Sequence, residues 1–111
     1  MNTNFVEWIE EEAAGEKIEA VVISGNRYDE DGRPVSNDNT SIIEDVLLTW
    51  EEVRDDLDYK FNPNQYNIQC HAIYAWTASK VIFISQYDGS TEIYSIPRNP
   101  VDCKPEMPGG G

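Results

Sequence analysis

Apolar residues recur at strand spacing over one continuous stretch, residues 68–96, and this stretch sets the expected architecture. Val81, Phe83, Ser85 and Tyr87 alternate with Ile82, Ile84 and Gln86 before Asp88-Gly89, a pair that accepts the positive φ angles of a tight hairpin turn. Thr91, Ile93 and Ser95 alternate with Glu92, Tyr94 and Ile96 on the returning side. The run from Ile68 to Trp76 has the β-branched and aromatic content of a further strand, and Thr77 to Lys80 is short enough to reverse it. A three-stranded antiparallel meander is predicted.

Upstream of it, the period changes. Phe5, Trp8, Ile9 and Ala13 fall at helical spacing, with Thr3 or Asn4 as N-cap and Gly15 as stop, which predicts a helix over 4–14. Residues 18–24 read as a strand, and the consecutive Val21, Val22 and Ile23 suggest an interior one covered on both faces. Residues 25–40 are rich in Gly, Asn, Asp, Pro and Ser, so they form a long polar loop or a loose hairpin turning at Asp31-Gly32. Periodicity leaves 42–48 open between strand and helix. Thr49 with Glu52 fits a capping box, and Trp50, Val53 and Leu57 form the apolar stripe of a helix from Trp50 to Asp58.

The expected fold is therefore α+β: a small antiparallel sheet, the three-stranded C-terminal meander plus one or two N-terminal strands, with two short helices packed on one face. One domain spans 1–100. Residues 101–111 form an extended tail, because Pro97, Pro100, Pro105 and Pro108 with Gly109 to Gly111 oppose regular structure. Trp8, Trp50 and Trp76 are expected in the core.

Charge adds what the apolar pattern cannot. The chain of 111 residues has a formal net charge of −13. Residues 1–60 hold 17 acids against 5 bases, a balance of −12, whereas residues 61–111 hold 4 against 3, a balance of −1. This excess argues against direct contact with nucleic acid or an anionic membrane and favours a basic protein partner. No apolar run spans a membrane and residues 1–14 lack the form of a secretory signal, which predicts a cytoplasmic protein. Cys70 and Cys103 have no metal-ligand spacing and are expected as free thiols.

The densest run is Glu51, Glu52, Asp55, Asp56 and Asp58. On a continuous helix these five would cover roughly 12 Å, about one charge per 2.4 Å, against about one per 1.7 Å along duplex DNA. Glu51 with Asp55 and Glu52 with Asp56 repel at a spacing of four, and only Arg54 offers local relief. Glu7, Glu10 and Glu11 line the polar face of the first helix. A solvated helix face explains any one such run; two of them beside a near-neutral remainder favour a surface that mimics a phosphate backbone. Tyr28 and Tyr59, each beside an acidic cluster, are the expected exposed aromatic anchors.

Other chemistry finds less support. Asp29, Glu30, Asp31 and Gly32 resemble the start of a calcium loop, but Arg33 and the missing terminal Glu exclude that type. His71 is the only histidine, and its neighbour Cys70 would point to the opposite face of a strand, so a Cys-His dyad is geometrically poor and a partly buried histidine is expected. No catalytic, metal or cofactor site is predicted. The expected function is that of a non-enzymatic acidic protein occupying the basic nucleic-acid-binding surface of a partner, as a DNA-mimic inhibitor of phage type or a nuclease-toxin immunity protein. Two alternatives are an adaptor that binds through a sheet edge and an enzyme using clustered carboxylates with Mg²⁺ or Mn²⁺.

Overall fold

The computed structural model describes residues 2–25 and 27–107. In chain order they form β1 (Thr3–Asn4), α1 (Phe5–Ala13), β2 (Ala20–Ser24), β3 (Arg27–Tyr28), β4 (Pro34–Val35), α2 (Trp50–Val53) with a 3-10 turn (Asp55–Leu57), β5 (Lys60–Phe61), β6 (Ala72–Trp76), β7 (Lys80–Tyr87) and β8 (Ser90–Pro97). The main sheet is antiparallel, in the order β2-β6-β7-β8, and β1-β5 and β3-β4 are separate two-stranded pairs. The α+β architecture and the meander are thus as expected.

The hairpin at Asp88-Gly89 has positive φ at both residues, 50° and 78°, which pairs Tyr87 with Ser90 and fixes every later pair on β7 and β8. A side-chain period of two then sorts the sheet into faces. Val21, Ile23, Ile73, Ala75 and Ile82 are buried on one face, and α1 lies over them with Phe5, Val6, Ile9 and Ala13. Lys80 Nζ donates to the Glu12 carbonyl at 2.9 Å and Ser95 Oγ to the Glu12 carboxylate at 2.7 Å. A base from β7 therefore serves the C-terminal end of α1, whose own last turn has none.

Several expected details are corrected. β2 is an edge of the main sheet and not an interior strand; its burial alternates, and its free side meets Leu48, through a pair of 2.9 Å bonds with Val21, and Asp45, whose N–H donates to the Ile23 carbonyl at 2.9 Å. Residues 42–48 are otherwise irregular. The closing left-handed residue of α1 is Ala14, φ 54°, ahead of Gly15. β6 starts at Ala72, because Gln69, Cys70 and His71 turn their side chains inward from an irregular segment. The second helix is not continuous from 50 to 58: after four α-helical residues it tightens into the 3-10 turn, then reverses at Asp58. Asp58, at φ −81° and ψ 73°, makes an inverse γ-turn closed by Tyr59 N–H on the Leu57 carbonyl. That reversal lets the Tyr59 carbonyl accept from Phe5 N–H at 2.9 Å. Trp8 and Trp50 pack with the core, but Trp76 is half-buried on the face of the sheet away from α1, edge-on to Tyr74.

Residues 98–107 are exposed and without regular structure. Pro108 and the closing glycines lie outside the described residues. Among the described residues no helix is long and apolar enough to cross a membrane.

Candidate functional site

Two N-caps start the acidic elements. Asn4 Oδ1 accepts from Glu7 N–H at 2.9 Å at the head of α1, and Thr49 Oγ1 accepts from Glu52 N–H at 3.2 Å at the head of α2. Two further contacts set the elements side by side. Asn4 Nδ2 donates to Asp58 Oδ1 at 2.7 Å, and Glu10 Oε2 accepts from both Trp50 Nε1 and Arg54 Nε at 3.2 Å. The start of α1 therefore meets the end of the 3-10 turn, while its later half meets the start of α2. The two acidic segments are thus brought together at two points.

On this surface Glu7, Glu11, Glu51, Glu52, Asp55 and Asp58 are exposed. Glu10 and Asp56 are half-buried; Asp56 Oδ2 accepts from Ser41 N–H at 2.8 Å. Among the described residues there are two ion pairs, Arg54 with Glu10 and Arg98 with Glu19. Glu7, Glu11, Glu51, Glu52 and Asp55 accept no hydrogen bond from another described side chain, so their charge faces solvent. The 3-10 rise of about 2.0 Å per residue spreads Asp55 to Asp58 slightly further along the axis than a continuous α-helix would.

The tyrosines divide. Tyr28 is exposed as expected, at the base of the acidic hairpin tip, where Asp29 Oδ1 accepts from both Asp31 N–H and Arg33 N–H at 2.9 Å. Arg27 and Lys60 border that tip and interrupt the acidic field between it and α1. Tyr59 is not an exposed anchor. Its ring stacks on Phe5 at 5.3 Å, the Arg27 guanidinium sits 3.8 Å over it, and burial holds its hydroxyl protonated. The acidic sequence around Tyr59 suggested exposure, whereas the inverse γ-turn at Asp58 rotates it inward.

Comparison with known proteins finds no matching family model, curated protein or solved structure.

The buried polar group around His71 was not legible as a unit in the sequence. Tyr59 Oη accepts from His71 N–H at 3.0 Å and lies 2.8 Å from Nδ1, and Nε2 lies 3.0 Å from Asn37 Oδ1. Asn37 Oδ1 can only accept, so Nε2 carries the proton and Nδ1 accepts from the tyrosine hydroxyl. Burial, and secondarily Arg27, push the His71 pKa down to about 4, which keeps the ring neutral. Every polar atom of the ring is thus occupied in tying the long loop to the core, with no open position for a reacting group. Cys70 is buried and its pKa is pushed up to about 12 by burial; Cys103 is exposed. Among the described residues no group of three or more His, Cys, Asp or Glu side chains converges as metal ligands would.

Proposed function

We propose that this chain is a cytoplasmic, non-enzymatic binding protein whose α1 and α2 surface occupies the basic nucleic-acid-binding groove of a partner protein. The observation that carries this reading is the contact of Glu10 with Trp50 and Arg54. It joins two acidic segments some 40 residues apart in the chain into one face, and Arg54 is the one base that pairs within it. A face with solvent-directed carboxylates on two adjoining elements presents fixed negative charge without flexible linkers, which favours rapid, salt-sensitive docking to a positive groove. Inhibition of a DNA-acting defence protein and neutralisation of a nuclease toxin are two settings with the same physics. The edge-binding alternative has less room. β2 is partly flanked by Leu48, and at β8 the Thr91 N–H is taken by the Pro63 carbonyl while Pro97 has no N–H to offer.

The test is inhibition and binding measured against a panel of basic nucleases and DNA-binding proteins at low and high salt. The native chain is compared with a variant carrying Glu7→Gln, Glu11→Gln, Glu51→Gln, Glu52→Gln and Asp55→Asn. Binding that weakens with salt and is lost in the variant, at unchanged or higher melting temperature, supports the reading. Binding that survives both changes removes it.

A further inference from the structure

Among the described residues no helix lies over the sheet face away from α1, yet that face is largely apolar. Register places Val22, Tyr74 and Phe83 in one row and Trp76 beside Val81 and Ile96 in the next, with Tyr94 stacked on Phe83 at 5.8 Å. Leu47, next to the buried Leu48 that pairs with β2, extends the face beyond Val22 and is 65% exposed. Tyr74 and Ile96 are 57% and 54% exposed. Residues 99–106 pass beside Phe83 and Tyr94 and leave a cleft of about 510 Å³, so the tail rims this face without sealing it.

We infer that this face is the contact between two copies of the chain, packed sheet against sheet. Charge selects the occupant. The outward positions of β2, β6, β7 and β8 carry one charged side chain, Glu92, in a chain of net charge −13. Two such chains repel through their acidic helices. On this face the carboxylates are few: Glu92 bonded by the Tyr94 hydroxyl, Asp45 beside Val22 and Ser24, and Glu106 in the tail with Lys104 two residues away. Two copies can therefore meet here with little opposing charge. The area is sufficient. Four strands about 4.8 Å apart, with three or four outward residues each, give on the order of 1,000 Å² buried in total, at the lower limit of specific interfaces. Each copy would hold its acidic helices on the outside, leaving them free.

The test is sedimentation equilibrium of the full chain as a function of concentration and salt. The mass is expected to rise toward twice the 12.6 kDa chain mass, and salt should promote association by screening the acids. Tyr74→Glu and Leu47→Glu, each at an exposed position the monomer tolerates, are expected to weaken self-association at least tenfold with unchanged circular dichroism. A chain that stays monomeric up to its solubility limit, a dimer that salt dissociates, or a dimer indifferent to both substitutions would each overturn the inference. Salt acts in the opposite direction on the partner surface proposed above, so the two readings fail separately.

Discussion

Tyr59 and His71 meet through one hydroxyl used twice: it accepts from the His71 backbone N–H at 3.0 Å and donates to Nδ1 of the same residue at 2.8 Å. The tyrosine ends the acidic helical segment and the histidine leads into the central strand β6, so this pair fastens the charged half of the chain to the neutral half. Tyr59→Phe keeps the ring stacked on Phe5 but leaves a buried donor and a buried acceptor unpaired. A loss of about 1–3 kcal/mol is expected, read as a lower midpoint in urea unfolding with an unchanged slope.

Burial of His71, and secondarily the nearby Arg27, makes stability depend on pH. An unfolded histidine takes up its proton near 6.5, whereas His71 in the fold resists until about 4. Between those values the unfolded chain binds more protons, so this contribution is complete at neutral pH, declines as pH falls below about 6.5 and is gone below about 4. The size is on the order of 3 kcal/mol. Because the chain has a single histidine, urea unfolding of His71→Gln should lack this part of the slope between pH 7.5 and 4; an identical pH slope in the variant would contradict the assignment.

Ala14 closes α1 at φ 54°, where a Cβ is disfavoured, and its side chain is exposed. Ala14→Gly is expected to raise stability by about 1 kcal/mol, since glycine reaches this region without the steric cost. A melting temperature that fell instead would show that the added freedom of the unfolded chain outweighs the relieved strain.

The two thiols should separate cleanly. Cys103 is exposed in the tail and Cys70 is 1% exposed with its pKa pushed up to about 12. A thiol-specific reagent at neutral pH is expected to modify one cysteine in the native protein and the second only on unfolding. Cys103→Ser should abolish the fast reaction, as followed by intact mass.

Much of this molecule was legible from local pattern. The alternation of β7 and β8, the Asp-Gly turn and the caps at Asn4 and Thr49 depend on neighbours a few residues apart, and each forms where spacing predicts it. The acids of Glu7 to Glu11 and Glu51 to Asp58 were visible as two runs; that Glu10 reaches Trp50 and Arg54 was not, because the contact spans some 40 residues. Tyr59 shows the limit most clearly. Sequence places it among carboxylates, and one backbone reversal at Asp58 turns it into the core.

By itself the sequence determined the α+β class, the meander and the segregation of charge into the first 60 residues, since periodicity and composition are properties of contiguous chain. Only the tertiary structure decided that β2 is an edge, that Trp76 stands on an uncovered face, and that His71 is buried, hence neutral, and bonded to Tyr59 and Asn37. Burial and pairing depend on which distant segments share space, and a period of two or 3.6 carries no record of that.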